Sequence, residues 1–374
     1  MGLSTRALPV FPWDTLAPYA RIARAHPRGI IDLSVGTPVD PTPAVVQDAL
    51  AAAANSPGYP TTQGSIELRQ GVVDWFARRR GVVGLDPVMV LPTVGSKELV
   101  AFLPALLGLG AGDVVVHPRT AYPTYDVGAR LAGATPFPAD DVAAWTGQNV
   151  RLVWLNSPGN PDGTVRSVEQ LRAVVDAARA RGAVVASDEC YAELAWTDPW
   201  VTSGVPSLLD PKVTGGDLTG LLTVYSLSKQ SNLAGYRAAF VAGDPALVAN
   251  LVEIRKHAGM IMPGPVQAAM TAALGDDAHV ARQRELYRDR RSRLLGAVGA
   301  AGLEVDGSEA GLYLWVRPAG APQDCWTTVG DLAALGILVA PGSFYGAGAA
   351  GHVRIALTAT DAQIAEAAGR LAGA

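Results

Sequence analysis

The chemistry that this chain could perform is concentrated around one lysine. Ser226, Ser228 and Lys229 lie within four consecutive residues, and Arg237 follows shortly after them. Hydroxyl groups donate hydrogen bonds to phosphate, and the planar guanidinium of arginine can bind it with two parallel bonds. A deprotonated lysine amine forms a Schiff base with a bound aldehyde. The pattern could therefore hold a phosphate and an aldehyde, although an isolated Ser-x-Lys sequence is more often a solvent-facing lysine beside turn serines.

Asp188 is the second candidate, because an acidic side chain directly after a buried strand lies at the mouth of a sheet. The preceding residues 183–186 form a short apolar run, which predicts such a strand. A carboxylate in this position could hold the proton of a pyridinium ring. The alternative is an aspartate that caps the N-terminus of a helix, which for a single residue is the commoner role.

Two turns that contain glycine supply further polar groups. The segment from Asn156 to Gly163 has two prolines and two glycines, which fix a rigid turn that could aim an asparagine amide at a ligand. Gly95 and Ser96 precede an apolar stretch with a helical pattern, and free N–H groups at a helix N-terminus bind anions. Each pattern alone is also that of an ordinary turn or helix cap.

The elements that must position these residues alternate between strand and helix. Short apolar runs predict buried strands at 114–116, 151–155, 183–186, 222–225 and 238–241. With helices between them, the strands should form a mostly parallel sheet that is covered on both faces. Ligands bind beyond the carboxyl ends of such strands. Asn156, Asp188 and Ser226 all follow predicted strands, so we expect them at that edge.

The clearest helix is predicted from Ser167 to Arg181. Ser167 is a suitable N-cap, Gln170 occupies the capping-box position, and Gly182 is placed to end the helix. The C-terminal third has a different pattern, with predicted helices at 278–300 and 361–371 and predicted strands at 311–316 and 352–357. This order predicts a smaller α+β lobe, completed by the N-terminal arm.

Composition narrows the function classes. The chain has 374 residues, of which 49% are hydrophobic and 17% are charged, and its formal net charge is -4. This length suffices for two packed lobes, and the lack of a clustered basic excess argues against nucleic-acid binding. Residues 78–80 are three consecutive arginines, which we interpret as the solvated end of a helix. Only four lysines occur, so the search for a catalytic lysine is short.

Other patterns exclude further classes. Cys190 and Cys325 are far apart in the sequence, so no disulfide framework is expected and a reducing compartment fits. The five histidines are isolated and show no metal-binding spacing. Residues 1–6 match neither an export signal nor a myristoylation motif. The longest apolar run, 99–109, is too short to span a bilayer. We therefore predict a cytoplasmic protein with neither membrane nor nucleic-acid partners and no metal.

Five motifs in one order give the sequence a resemblance to the fold-type I aminotransferases of class I and II, the aspartate aminotransferase group. The motifs are GSKE (95–98), AYPTY (121–125), NSPGNPDG (156–163), SDECY (187–191) and SLSKQSNLAGYR (226–237). The resemblance implies pyridoxal 5'-phosphate (PLP) as cofactor. It also implies an α/β fold: a large domain, 41–264, with a mostly parallel seven-stranded sheet flanked by helices, and a smaller α+β domain formed by 1–40 and 265–374.

The resemblance also implies roles for individual residues. Lys229 resembles the lysine that forms the Schiff base with PLP, and Asp188 resembles the carboxylate that keeps the pyridine nitrogen protonated. Tyr191 and Asn160 resemble the pair that binds the phenolic oxygen of PLP, and Tyr122 resembles the ring stacked on the cofactor. Of these, Lys229, Asp188 and Tyr191 are implied to be catalytic.

The phosphate and the substrate have implied partners as well. The implied phosphate site consists of Gly95, Ser96, Lys97, Ser226, Ser228 and Arg237. Tyr59 resembles the tyrosine that reaches the phosphate from the neighbouring subunit, which implies a homodimer with shared active sites. Arg354 resembles the clamp for the substrate α-carboxylate, with Asn160 and the backbone of Gly36 beside it. The implied reaction moves an amino group from L-glutamate to a keto acid in two half-reactions.

Three stretches narrow the resemblance further. LPVFPWD (8–14), IDLSVGTPVD (31–40) and KHAGM (256–260) resemble the actinobacterial succinyldiaminopimelate transaminases. This implies N-succinyl-2-amino-6-oxopimelate as the amino acceptor, in lysine and diaminopimelate biosynthesis. The substrate carries several carboxylates, for whose distal members Arg28, Arg119 and Lys256 are candidates.

Alternatives to this assignment remain open. An aspartate or other amino-acid aminotransferase and a PLP-dependent C–S lyase share the fold, which does not fix the reaction. Release of ammonia and pyruvate without any keto-acid acceptor would favour the lyase. Ser226-x-x-Lys229 also matches the SxxK motif of serine β-lactamases, but the sequence lacks the accompanying KTG and SDN triplets.

Overall fold

The structure is a computed structural model and describes residues 8–320 and 324–373. Residues 1–6, on which the predicted lack of an export signal depends, lie outside the described residues. Among the helices that are described, none has both the length and the apolar character needed to cross a membrane.

The strands and helices are numbered in chain order. The strands are β1 (Ile31–Asp32), β2 (Val90–Val94), β3 (Val114–His117), β4 (Thr135–Pro138), β5 (Val150–Asn156), β6 (Val184–Asp188), β7 (Leu221–Ser226), β8 (Ala238–Gly243), β9 (Leu303–Gly307), β10 (Tyr313–Pro318), β11 (Ile337–Leu338), β12 (Ala340–Pro341) and β13 (Val353–Ala356). The α-helices are α1 (Ala17–Ala25), α2 (Ala44–Ala52), α3 (Ile66–Arg80), α4 (Ser96–Leu106), α5 (Thr124–Ala132), α6 (Val168–Arg179), α7 (Trp200–Ser203), α8 (Pro211–Thr214), α9 (Pro245–Ala258), α10 (Gly264–Gly275), α11 (Asp277–Ala300), α12 (Cys325–Ala334) and α13 (Asp361–Ala372). Short 3₁₀ helices span Pro12–Leu16, Pro87–Met89, Val142–Trp145, Gly342–Tyr345 and Ala347–Ala349.

The large sheet has seven strands in the order β2-β8-β7-β6-β5-β3-β4. The strands from β7 to β4 in this order run parallel, whereas β8 is antiparallel to both of its neighbours. Alternate residues of β3 pack into different cores, Val114 and Val116 into one and Val115 into the other. Burial on both faces explains why these strands are continuous apolar runs. The predicted α/β fold with a mostly parallel seven-stranded sheet is confirmed, and the five predicted strands overlap β3 and β5 to β8.

A second, antiparallel sheet has the order β12-β13-β10-β9. Helices α11, α12 and α13 contribute residues to the core beneath it, which gives the smaller α+β lobe that was predicted. The N-terminal segment completes this lobe, because Leu16 and Leu33 belong to the same core and Ile31 pairs with Ile337 across β1 and β11. The exact domain limits, 41–264 against 1–40 with 265–374, stay a prediction.

The helix capping predicted from the sequence is confirmed for α6. The Ser167 side chain accepts a hydrogen bond from the backbone N–H of Gln170, and the Gln170 side chain accepts one from the Ser167 N–H at 2.9 Å. Gly182, at φ +63°, follows the helix in the left-handed conformation that glycine adopts most readily.

The three arginines at the end of α3 correct a prediction. They were expected to be solvated, but the Arg80 side chain is only 2% exposed, and its Nη2 donates to Oε2 of Glu189 at 3.0 Å. Glu189 follows β6, is itself 1% exposed, and accepts a further bond from the Leu208 N–H. Burial raises the pKa of Glu189, and the Arg80 cation opposes that rise. The end of α3 lies over the large sheet, so the interpretation of this run as solvated was wrong for Arg80.

We expect Arg80→Ala to lower the free energy of unfolding by about 3–5 kcal/mol, because it leaves the Glu189 carboxylate buried without its cation. Arg78→Ala is the matched control from the same helix turn. Its side chain is 41% exposed and pairs with Asp277, so its loss should cost about 1 kcal/mol or less. Urea denaturation of both variants measures the difference, and equal losses would contradict the structural role of the buried pair.

Candidate active site

The carboxyl ends of three neighbouring strands meet at one edge of the large sheet. Asn156 of β5 lies opposite Asp188 of β6, and Asp188 lies opposite Val224 of β7. Two residues beyond Val224, β7 ends at Ser226. A cavity of about 480 Å³ opens there, where parallel sheets place their ligands. The predicted site residues that line it are Gly36, Ser96, Lys97, Tyr122, Asn160, Asp188, Tyr191, Ser226, Ser228, Lys229, Arg237 and Arg354.

One end of the cavity is rich in hydrogen-bond donors. Helix α4 begins there at Ser96, and its free N–H groups carry the positive end of the helix dipole. Ser226 Oγ donates to Ser228 Oγ at 2.8 Å, so both hydroxyls lie together. The Arg237 guanidinium donates to the Ala234 carbonyl at 2.8 Å, and it forms no ion pair within the described ranges 8–320 and 324–373. This end can bind a multiply charged anion.

Gly95 does not line the cavity, but it makes the close packing of this end possible. Its φ is +80°, and a Cβ atom at this position would overlap the Arg237 guanidinium. Any larger residue would therefore displace Arg237 from helix α4 as well as strain the backbone.

Asp188 lies deep in the cavity and is only 8% exposed. Its Oδ2 accepts a hydrogen bond from the Tyr125 hydroxyl at 3.0 Å, and its Oδ1 accepts one from the Cys190 N–H at 3.2 Å. Burial raises the pKa of Asp188, while these bonds and the charge of Lys229 act in the opposite direction. A cationic group of a ligand would lower the cost of burying the ionised carboxylate.

Lys229 lies in the turn after β7, where the predicted phosphate-binding serines also lie. Its Nζ donates a hydrogen bond to the carbonyl oxygen of Gly36, a residue of the N-terminal segment. This contact joins the large sheet to the segment that completes the smaller lobe. The amine is partly buried and lines the same cavity as Asp188.

Arg354, from β13 of the smaller lobe, provides a buried cation in the cavity. The residue is 2% exposed, its Nη1 donates to Asn160 Oδ1 at 2.8 Å, and its Nη2 donates to the Ser34 carbonyl at 2.6 Å. Its Nε has no hydrogen-bond partner in the part of the chain that the structure describes. Among the residues that the structure describes, no carboxylate pairs with it. A buried guanidinium without an acid is costly unless a ligand supplies the negative charge.

Asn156 holds the predicted turn in place, a role that the sequence analysis did not assign. Its side-chain amide donates to the carbonyls of Pro158 and Asp188, each at 3.0 Å, and its Oδ1 accepts from the Asn160 N–H at 2.8 Å. The turn is thereby fixed to β6, which sets Asn160 beside Arg354. Asn156 could have been predicted as a site residue from its position at the end of a strand.

Other residues of the cavity were also missed. Phe11 and Trp13 reach it from the N-terminal segment, and Tyr313 reaches it from β10. Tyr125, which binds Asp188, belongs to the AYPTY motif and had a detectable signal. Phe11 and Trp13 lie in the LPVFPWD stretch, which indicated the family and not a position at the cavity. Tyr313 had no such signal, and only tertiary packing brings all three residues to the sheet edge.

Several predicted residues lie elsewhere. Tyr59 is fully exposed and lines a different surface groove, with Gln267 and Thr271. Arg28 pairs with Glu366 and Lys256 pairs with Glu253, both at exposed positions. The candidates for the distal carboxylates, Arg28, Arg119 and Lys256, do not line the cavity.

Comparison with known proteins assigns the chain to a family. The chain matches the family "Aminotransferase class I and II" over residues 28–371. It is 57% identical to a "probable aminotransferase" of Mycobacterium tuberculosis over 99% of this chain and 87% of the relative. It is 56% identical to the 4-dedimethylamino-4-oxo-anhydrotetracycline transaminase OxyQ of Streptomyces rimosus, over 98% of this chain and 99% of the relative.

A solved structure agrees in fold. It is that of a probable N-succinyldiaminopimelate aminotransferase from Thermus thermophilus, with a TM-score of 0.86 and 28% sequence identity, covering 97% of this chain and 100% of the other. The family match spans more than half of the chain, and the two relatives span almost all of it. The chain is therefore a member of the class I and II aminotransferases, which are PLP-dependent enzymes that act on small amino and keto acids.

Proposed function

We propose that this aminotransferase moves the amino group of L-glutamate to N-succinyl-2-amino-6-oxopimelate. The observation that carries the proposal is the buried Arg354 guanidinium, which has free donor capacity and no carboxylate partner among the described residues. It is suited to an α-carboxylate, which L-glutamate and the keto-acid acceptor both carry. The likeness to the Thermus thermophilus protein, whose name contains N-succinyldiaminopimelate aminotransferase, supports the choice of acceptor.

The residues of the cavity fit PLP on independent grounds. The donor-rich end fits the phosphate, because Arg237 has no acid partner in the described chain and Gly95 leaves space for it beside α4. In this proposal Ser96, the backbone of Lys97, Ser226 and Ser228 complete the phosphate site. Asp188 would accept a hydrogen bond from the protonated pyridine nitrogen, whose positive charge would offset the burial of the carboxylate.

The remaining cofactor contacts are assigned by position around Asp188 and Lys229. Tyr191 and Asn160 would hydrogen-bond the phenolic oxygen, and Tyr122 would stack on the pyridine ring. When bound, PLP supplies an electron sink for the electrons of a broken bond at the substrate Cα. Lys229 Nζ would take the proton from the substrate Cα as a general base and return it on the cofactor side.

Lys97 is a candidate to bind the distal carboxylate of the substrate. Its Nζ lies at the exposed rim of the cavity, 5.3 Å from the centre of the Phe11 ring. Within residues 8–320 and 324–373 its ammonium forms no ion pair. Because Lys97 and Arg354 line the same cavity, an acidic distal group of a bound substrate would have a cation to pair with, which supports an acidic rather than an apolar distal end.

A second acceptor class is favoured by one specific observation. The relative from Streptomyces rimosus is named for a tetracyclic ketone, and it is 56% identical over nearly the whole of both chains. Phe11 and Trp13 present aromatic rings at the cavity, with ring centres 5.7 Å apart, and such rings could stack against a polycyclic substrate. Turnover of a tetracyclic ketone with no turnover of the succinylated keto acid would favour this alternative.

We also propose that the enzyme is a homodimer in which Tyr59 reaches the phosphate site of the partner subunit. Tyr59 is fully exposed and lines a surface groove other than the cavity of its own chain. The exposed ring and hydroxyl are free to contact a second subunit, as this arrangement requires.

The decisive experiment is an absorbance spectrum of the purified holoenzyme before and after addition of L-glutamate, followed by a panel of keto acids. We expect L-glutamate to convert the visible band, and N-succinyl-2-amino-6-oxopimelate to restore it. Restoration by other keto acids alone would reject the proposed acceptor. Release of pyruvate and ammonia from a cysteine-like substrate would instead favour a C–S lyase.

We expect Lys229→Ala to lower turnover by about 10²–10⁴-fold or more, because it removes both the Schiff-base amine and the proton carrier. Borohydride reduction followed by mass spectrometry should show PLP attached to the wild-type chain and not to the variant. Lys256→Ala, a surface lysine paired with Glu253, is the control and should be labelled normally. A labelled Lys229→Ala chain would contradict the assignment.

We expect Lys97→Met to raise KM for L-glutamate by about tenfold, the value of one charge-assisted contact. KM for L-alanine, which has no distal carboxylate, should change much less. Steady-state kinetics with both donors measures the ratio. Equal increases for the two donors would instead assign Lys97 to the cofactor alone.

A further inference from the structure

Tyr313 contacts both Tyr191, which is proposed to face the cofactor, and Arg354, which is proposed to bind the substrate carboxylate. The proposed function gives Tyr313 itself no role. It is the first residue of β10, is only 3% exposed, and lines the cavity. Its hydroxyl lies 3.2 Å from the hydroxyl of Tyr191. The same hydroxyl packs against Gly36, where a Cβ atom would overlap it. Gly36 is the residue whose carbonyl binds Lys229.

The ring of Tyr313 has a second partner. The Cζ atom of Arg354 lies 3.9 Å from the ring centre, a distance at which a guanidinium stacks on an aromatic face. The antiparallel pairing of β10 with β13 fixes this contact, because Tyr313 lies opposite Ala356 and Arg354 lies two residues away on the same face. Stacking leaves the edge of the guanidinium free for hydrogen bonds.

We propose that Tyr313 is a positioning residue that couples the two sites: its hydroxyl donates a hydrogen bond to Tyr191, and its ring holds the guanidinium plane of Arg354. The inference rests on the roles proposed for Tyr191 and Arg354 and deepens them. One side chain thus orients both the cofactor-facing phenol and the substrate-binding cation.

The direction of the hydrogen bond follows from proton counting. Each phenol has a single proton, so Tyr191 cannot donate to a cofactor oxygen and to Tyr313 at the same time. If Tyr191 donates to the phenolic oxygen of PLP, Tyr313 must be the donor to Tyr191. A phenol that accepts a hydrogen bond becomes a stronger donor in its turn, because hydrogen bonds in a chain polarise one another.

The electrostatics of the pair agree with this direction. The titratable and charged groups around Tyr313 are Tyr122, Cys190, Tyr191, Lys229, Tyr287, Tyr345 and Arg354. Burial by itself would raise the pKa of Tyr313, but the Arg354 and Lys229 cations hold it below its ordinary value. Burial, together with Tyr313, raises the pKa of Tyr191 well above its ordinary value. The two cations favour release of the Tyr313 proton, which strengthens its hydroxyl as a hydrogen-bond donor.

The hydroxyl is tested by Tyr313→Phe in the holoenzyme, which keeps the ring. A donor to the phenolic oxygen stabilises the form in which the Schiff-base nitrogen has lost its proton. We expect its weakening to raise the pH midpoint of the visible absorbance change by about 0.5 unit or more. KM for L-glutamate should stay within about twofold, because the ring on Arg354 remains.

Tyr345→Phe is the matched control. Tyr345 is buried, and its ring centre lies 5.1 Å from the Cζ of the same arginine. Among the described residues its hydroxyl has no hydrogen-bond partner, and it does not line the cavity. The same chemical change at Tyr345 should leave the absorbance midpoint where it is.

The ring is tested by Tyr313→Leu. Loss of the stacking should raise KM for L-glutamate by about tenfold. The rate of the spectral change with n-butylamine, which lacks a carboxylate, should fall much less. If Tyr313→Leu does not fold, the comparison of Tyr313→Phe with Tyr345→Phe still decides the proposal through the absorbance midpoint.

The outcomes separate this inference from the proposed function. A wild-type protein without the visible band contradicts the PLP site itself. A wild-type band with equal midpoints in Tyr313→Phe and Tyr345→Phe overturns the coupling through Tyr191. Equal losses with L-glutamate and n-butylamine in Tyr313→Leu overturn the positioning of Arg354.

Discussion

The active site depends on the register of three parallel strands. Because Asn156, Asp188 and Val224 are side by side, the segments that follow β5, β6 and β7 leave the sheet at the same level. The register therefore brings together the rigid turn, the buried carboxylate and the lysine turn, although they are far apart in the sequence. A shift of one residue in any of these strands would reverse the direction of its side chains. Burial of the sheet on both faces holds the register.

Charge separation is the second organising feature of the site. Asp188 and Arg354 are buried, and neither forms an ion pair within the described ranges. By contrast, the buried carboxylate next along the chain, Glu189, is paired with Arg80. The structural charge of Glu189 is thus neutralised within the protein. The charges of Asp188 and Arg354 face the cavity, where a ligand can neutralise them. Unpaired buried charges are costly in isolation and are a feature of functional sites.

The smaller lobe contributes the substrate side of this arrangement. Arg354 comes from β13, Tyr313 from β10, and Gly36 from the N-terminal segment. At the edge of the large sheet, Arg354 binds Asn160, Tyr313 contacts Tyr191, and Gly36 binds Lys229. The cavity is consequently a junction between two cores. A change in the packing of the smaller lobe would move Tyr313 and, through its contact with Tyr191, would alter the position of the Tyr191 hydroxyl.

Local sequence determined the strands and helices, the capped start of α6, and the short motifs whose order identified the family. These depend on neighbours along the chain: apolar runs, capping residues and turn residues act over a few positions. The sequence also marked Lys229, Asp188 and Asn160, because each follows a strand. Tertiary structure alone decided that Arg80 is buried, that Phe11, Trp13 and Tyr313 reach the cavity, and that Arg28 and Lys256 do not. The reason is physical: burial and partner choice depend on contacts between residues that are far apart in sequence, and no local pattern records them.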